Sequence, residues 1–337
     1  MGCLSTPKTT RLALLAKNDI VIIKVNSQWD ERGGTNTDLV KALVQAIVDH
    51  PQGFMGEVVI ADNGQAQYGS TGKGGSLSYV RNNAKDTSQS VQMVADSFSS
   101  YKVSTYLWDT ITNKRVNEYE EGDPQDGYVV EGSLDPETGL VVTYPKFKTK
   151  YGTNVSFKLG IWDSANKTYD SNKLKVINVP VLKSHGGYGV TASVKHYMGV
   201  ASDKLSKEMG GRAHNSVGSG GMGTEMAQTR FPALNIIDAI WVNANPGHGP
   251  STSYSEATKI GVIVASTDPI ALDYWAAKKI LMPAARAKGY GDLSSIDPDN
   301  SSPGSFGDWL RLSMEEVRKA GFRAMVDEDS MNVFIAQ

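Results

Sequence analysis

"DIVIIKVN" (residues 19–26) and "GEVVIADNG" (56–64) decide the fold class. Each is a short run of Val, Ile and Ala without polar alternation, as expected of a strand buried on both faces. Between them, "TDLVKALVQAIVDH" (37–50) sets Leu39, Leu43 and Ile47 at helical spacing. Asn36 or Thr37 can cap this helix and Pro51 stops it. "SVQMVADSFSSY" reads as a second helix and "KVSTYLWD" (102–109) as a third strand. This β-α-β-α-β order predicts a mainly parallel, doubly wound, Rossmann-like α/β sheet in three layers.

Residues 110–173 break the rhythm. They are rich in Gly, Asp, Thr and Tyr and hold the alternating pieces "GLVVTYPKFKTKYG" and "NVSFKLGIWD", with a turn signature at "DPETG" (135–139). We read them as an antiparallel β insertion within one α/β domain spanning 1–337. The rhythm returns with a strand at "KLKVINVPVLK" (173–183) and a mobile glycine-rich stretch at "SGGMGTEMAQ" (219–228). Two further buried strands follow at "ALNIIDAIWVNAN" (233–245) and "KIGVIVAST" (259–267). "DPIALDYWAAKKIL" is a helix with Asp268 at its N-cap and Pro269 at its first position, and "FGDWLRLSMEEVRKAG" (306–321) is an amphipathic one.

Bulk composition narrows the function. The 337 residues carry 34 basic and 36 acidic side chains, a balance that argues against a nucleic-acid partner. No apolar run approaches the roughly 20 residues of a membrane span. A single cysteine, Cys3, cannot hold an iron–sulfur cluster, which needs about four thiolates. The start "MGCLSTPK" fits N-myristoylation through Gly2 and Thr6, with Cys3 as a second acylation site; the plainer reading is a loose end. Export with the signal removed and a cytoplasmic location both stay open, as does a homo-oligomer.

In an open α/β sheet, ligands bind outside the carboxyl ends of the strands. Five predicted ends finish in polar groups: Lys24 and Asn26; Asp62 and Asn63; Lys183 and His185; Asn243, Asn245 and His248; and Asp268. If they share one rim they form a polar crevice. "KSHGGYGVTASVKH" (183–196) is the densest part. Gly186 and Gly187 free backbone N–H groups at an expected helix start, where an anion is favoured. Lys183 and Lys195 add positive charge, and His185 can move a proton or hold a metal. Asp268 also reads as a plain cap, and Asp273, a turn onward, faces either the same rim or solvent. "GGYG" and "GSTGKGGS" (69–76) fit neither the dinucleotide nor the phosphate-loop pattern, so the latter reads as a surface loop. A divalent metal would need His185, His214 and His248 to converge, which no short spacing supports. His196, on the helix expected from near Val190, and His50 read as structural.

"VIIKVN", "GGTNTDLVKALV", "VVIADNG", "VPVLKSHGGYGVTASVKHYMG", "IIDAIWVNANPGHGP" and "ASTDPIALD" occur in the order seen in the family known as domain of unknown function 362, which this chain resembles over residues 20–285. Members are widespread in bacteria and archaea and many carry a cysteine-rich iron–sulfur segment, which this chain lacks. The resemblance implies that Lys183, His185, Thr191, Lys195, Asp268 and Asp273 occupy motif positions. The expectation is therefore an enzyme acting on a small anionic or metal-bound substrate. Lys183 and Lys195 would fix charge, and His185 would serve as general base or metal ligand. The alternative is a non-catalytic protein that binds a ligand or partner.

Overall fold

A computed structural model describes residues 14–65 and 75–336. The acylation pattern at Gly2, Cys3 and Thr6 lies outside them, as does residues 69–74 of the expected surface loop. The first half follows the expected alternation: β1 (Ile20–Lys24), α1 (Thr37–Val48), β2 (Glu57–Asp62), α2 (Val91–Asp96) and β3 (Val103–Leu107). β1 pairs with β2, and β2 with β3, all in parallel. The Asn36 side chain caps α1 by accepting from the N–H groups of Asp38 and Leu39.

The insertion forms a separate antiparallel sheet in chain order: β4 (Gly127–Val130), β5 (Thr143–Lys148), β6 (Asn154–Ser156), β7 (Gly160–Asp163) and β8 (Thr168–Asp170). The main sheet then resumes on the other side of β1. β9 (Leu174–Asn178) pairs parallel with β1, and β10 (Val181–His185) continues its line. β11 (Gly189–Thr191) folds back on β10, and a 3₁₀ turn, Lys195–Gly199, follows. Next come α3 (Asp203–Glu208), α4 (Ala213–Ser216), α5 (Gly221–Gln228), β12 (Leu234–Asn243) and β13 (Thr258–Ser266). Helices α6 (Pro269–Ala276), α7 (Met282–Ala287) and α8 (Phe306–Lys319) close the chain.

The eight-stranded main sheet runs β11-β10-β12-β9-β1-β2-β3, with β13 also on β12. The chain moves outward from β1 through β2 to β3, then returns beside β1 as β9. That reversal is the topological switch point of a doubly wound sheet. Alternate residues feed two cores. Val21, Ile23, Val58 and Ile60 pack under α1 and α2. Ile20, Ile22, Val59 and Ala61 face the other way, toward α5, α6, α8 and the antiparallel sheet. Both faces are covered, which is why these strands read as unbroken apolar runs.

Four local readings need correction. The strand expected over 173–183 is broken at Val179 and Pro180, because proline has no N–H for the ladder. The two halves still keep step along β12, at Asn178↔Asn235 and Val181↔Asp238. Residues 219–228 hold no mobile loop: Gly221 and Gly223 let α5 lie directly on Ser216 and Ser313, where a Cβ would come within 2.1 and 2.4 Å. β13 is antiparallel to β12 and exposes alternate residues, so it is an edge strand and not a buried one. The helix expected from near Val190 is replaced by β11 and the 3₁₀ turn.

The antiparallel sheet is fastened to the main one by aromatic edges. Phe157 is fully buried, with its ring 5.6 Å from Trp108 and 6.4 Å from Tyr197 of the 3₁₀ turn. Phe157→Ala is expected to cost roughly 3–5 kcal/mol in denaturant unfolding. A loss below about 1 kcal/mol would show that the inserted sheet is not part of the same core.

Candidate functional site

A crevice of about 240 Å³ opens at the carboxyl ends of β1, β2 and β10, at the switch point. β1 and β2 supply Lys24, Asn26, Asp62 and Asn63. β10, β11 and the 3₁₀ turn supply Lys183, His185, Thr191 and Lys195, and α4 adds His214. Three of the five expected strand ends therefore meet, together with residues that follow the third.

The cations are not equivalent. Lys24 Nζ lies 2.7 Å from Asp62 Oδ1, both side chains buried. Asp62 Oδ2 accepts from Ser27 N–H at 2.7 Å and Ser27 Oγ at 3.0 Å, so this carboxylate is fully engaged and its charge cancels that of Lys24. Gly199 makes room for the pair, since a Cβ there would sit 2.3 Å from both Lys24 Nζ and Asp62 Oδ1. Asn63 turns away to support the inserted sheet: its amide donates to Thr112 Oγ1, Tyr128 OH and the Ala201 carbonyl.

Lys183 and Lys195 lack such neutralisation. Lys183 donates to the Gly33 carbonyl at 2.6 Å. Burial, then the Lys195 charge, lower its pKa to about 7, with Asp62 opposing. Lys195 lies 5.2 Å over the Tyr188 ring, and burial alone brings it down to about 8.

Two histidines present opposite faces of the imidazole chemistry. His185 Nδ1 accepts from the N–H groups of Gly187 (3.0 Å) and Tyr188 (3.2 Å). Its proton must therefore sit on Nε2, which makes the ring a donor. Burial, and then Lys195, hold it neutral with a pKa of about 2. This geometry gives His185 the donor's part, not the general base expected from sequence. His196 is the reverse. The Asn178 amide donates to the Ser193 carbonyl and to Asn235 Oδ1, which leaves Asn178 Oδ1 to accept from His196 Nδ1 at 2.7 Å. His196 Nε2 is then a lone pair, buried without a hydrogen-bond partner, in a residue that lines the crevice. Burial and the neighbouring Lys24 and Lys183 keep this ring neutral, with only the Val25 carbonyl pulling the other way.

Asp273 shapes the site from behind. It is wholly buried and accepts from Ser193 N–H at 2.7 Å and Val194 N–H at 2.9 Å, fixing the entry to the turn that carries Lys195 and His196. Neither of its expected settings, rim or solvent, is the one found. Asp238, not singled out in the sequence, plays a similar part nearer Lys183, accepting from Asn36 N–H, Asn83 Nδ2 and Ile240 N–H.

The other expected residues fall elsewhere. Asp268 caps α6 through the Ile270 and Ala271 N–H groups and lines a separate groove with Trp275 and Phe334. Because β13 runs antiparallel, its carboxyl end leaves the sheet at the opposite rim. Asn245 and His248 lie in the turn after β12 outside the crevice, with His248 exposed. Gly186 and Gly187 turn β10 into β11; they start no helix, and the Gly187 N–H is already given to His185. The three-histidine metal centre is not assembled. His248 is exposed and does not line the crevice, His185 Nδ1 is occupied by two N–H donors, and among the described residues no group of three or more His, Cys, Asp or Glu could hold a metal ion.

Fold and site together define a doubly wound α/β protein with a cationic crevice at its switch point. A family model described as "Domain of unknown function (DUF362)" matches residues 163–278, which bears out the resemblance over that segment. The chain is 35% identical over 102 residues to a thylakoid-associated protein of Synechocystis sp.. That match covers 29% of this chain and 30% of the relative. No solved structure matches the chain. Among the described residues, no helix is long and apolar enough to cross a membrane.

The lowered Lys183 pKa has a sign that can be measured. Between about pH 8 and 10 the unfolded chain holds this proton and the fold does not, so Lys183 makes stability rise with pH there. Lys183→Met should flatten that slope by roughly 1.4 kcal/mol per pH unit, read from urea unfolding at pH 8, 9 and 10. An unchanged slope would mean that Lys183 keeps an ordinary ammonium. Asp273→Ala should cost about 2–4 kcal/mol, since two buried N–H groups lose their acceptor.

Proposed function

We propose that the crevice binds a small organic or inorganic dianion and transfers a proton on it. Lys183 and Lys195 fix the two negative charges, His185 donates a hydrogen bond through Nε2, and His196 accepts a proton at Nε2 once the bound dianion offsets the lysine charges that otherwise hold its ring neutral. The observation that carries this reading is the pair of buried lysines with no carboxylate in ion-pair contact among the described residues, facing two imidazoles locked in opposite tautomers. A volume of about 240 Å³ lies below the ~300–1,000 Å³ of sites for drug-sized ligands, so the occupant is small. The Lys24–Asp62 pair is a neutral wall that orders the floor without competing for the anion.

Calorimetric titration with glutarate, succinate and phosphate tests the binding step. One of them should bind at one site per chain. Lys183→Met and Lys195→Met should each weaken it by roughly ten- to a hundredfold, the worth of a charge-assisted hydrogen bond. Affinity should also fall as pH rises from 6.5 to 9, because the free lysines lose their protons at about 7 and 8 and the bound anion favours their charged forms. Binding that is indifferent to both substitutions and to pH would sink the proposal. A purely binding protein would differ in one respect: His196→Gln would leave both affinity and the fate of the bound molecule unchanged.

A further inference from the structure

We infer that Lys195 is a nucleophile that condenses with the carbonyl of a small 2-oxo dicarboxylate to form an imine, a step that rests on the dianion reading above. The three crevice lysines have different duties. Lys24 is tied to Asp62 at 2.7 Å, and Lys183 is aimed by its 2.6 Å bond to the Gly33 carbonyl. Lys195 is the amine left over: buried, set over the Tyr188 ring at 5.2 Å, and carrying neither an ion pair nor a hydrogen bond among the described residues. An amine buried this deeply keeps a large neutral fraction near pH 8, and the neutral amine is the form that attacks carbonyl carbon.

The surroundings suit the proton traffic of the condensation. The amine lone pair forms the C–N bond while the carbonyl π electrons move onto oxygen. His185 Nε2–H stands as donor to that oxygen, and His196 Nε2 as acceptor for the proton released by nitrogen. Thr191 Oγ1 is buried without a hydrogen-bond partner among the described residues and also lines the crevice, a hydroxyl left free to bond the reacting oxygen. The carbinolamine then expels its oxygen with the two former amine hydrogens as one water, leaving a C=N bond. No oxidant or metal is consumed. Lys183 holds the distal carboxylate of the diacid throughout, and the protonated imine nitrogen keeps the positive charge of Lys195 beside the carboxylate next to the former carbonyl, which is why a 2-oxo dicarboxylate, rather than a simple ketone, is the fitting substrate class.

Wild-type protein incubated with 2-oxoglutarate and sodium cyanoborohydride at pH 7.5, followed by intact-mass and peptide analysis, tests this directly. The expected result is one reduced adduct per chain, located on Lys195, suppressed by excess glutarate and abolished in Lys195→Arg. No adduct, an adduct on Lys183, or labelling scattered over surface lysines would overturn the assignment. Glutarate separates this failure from that of the parent reading, because it has the same two carboxylates and no carbonyl. If glutarate binds while 2-oxoglutarate leaves no adduct, the imine step is wrong and the dianion site stands. If neither binds, both are wrong.

Discussion

Two lysines buried in one crevice, with no carboxylate in ion-pair contact among the described residues, set the terms for the rest of this structure. An unpaired buried charge is among the most unfavourable things a fold can hold, and a lysine escapes by giving up its proton more readily. Lys183 and Lys195 do so, to about 7 and 8, each with a weak local consolation: a carbonyl for one and an aromatic face for the other. Lys24, at the end of β1, is handled differently, with Asp62 against it and Ser27 bracing Asp62. One side of the switch point is thus neutral and the other positive.

The supporting structure is arranged to keep that imbalance rigid. Asp273 holds the backbone before Lys195 and His196, Asn178 holds His196, and Gly187 and Tyr188 hold His185. Each clamp uses a backbone or amide group that has no freedom to turn away. The inserted sheet acts in the same sense. Its Tyr128 hydroxyl accepts from Asn63, and Phe157 packs on Tyr197, so both the β2 end and the 3₁₀ turn lean on it. A part of the chain that looks peripheral in sequence therefore stiffens the crevice from below.

Much of this was legible in the residues, and the failures have definite causes. Unbroken β-branched runs gave β1 and β2 because strands covered on both faces need no polar alternation. The rule that sites gather at carboxyl ends then found Lys24, Asp62, Lys183 and His185, but it presumes parallel strands. It misplaced Asp268 because β13 runs backward, and strand direction leaves no mark in composition. His196 was passed over as structural, since neighbours such as Lys195 and His196 normally diverge around a helix. The 3₁₀ turn has no outward face, however: every residue from Lys195 to Gly199 is buried, so both side chains end beside the crevice. The nearest available signal was Asn178 at a strand end, whose amide fixes the tautomer. Asp273 showed a different limit. Its place in "STDPIALD" marked it as notable, yet only the fold reveals that it grips backbone 79 and 80 positions earlier in the chain.

The segment matched by the family model begins at residue 163 and ends at 278, and it divides the crevice unevenly. Lys183, His185, Thr191, Lys195, His196 and His214 lie inside it, with Asp238 and Asp273 behind them. Lys24, Asn26, Asp62 and Asn63 lie outside, on β1 and β2. Everything positively charged and unneutralised, and both imidazoles with assigned protons, thus belongs to the matched half, while the half beyond it contributes the self-cancelling Lys24–Asp62 pair. Chemistry placed in the first half needs the second as a wall of the right shape and zero net charge, and for the Gly33 carbonyl that aims Lys183. A switch-point crevice lends itself to that division, because its two walls come from stretches of chain that are distant in sequence and are brought together by the parallel pairing of β1 with β9 and by bonds across the crevice such as Lys183 to the Gly33 carbonyl.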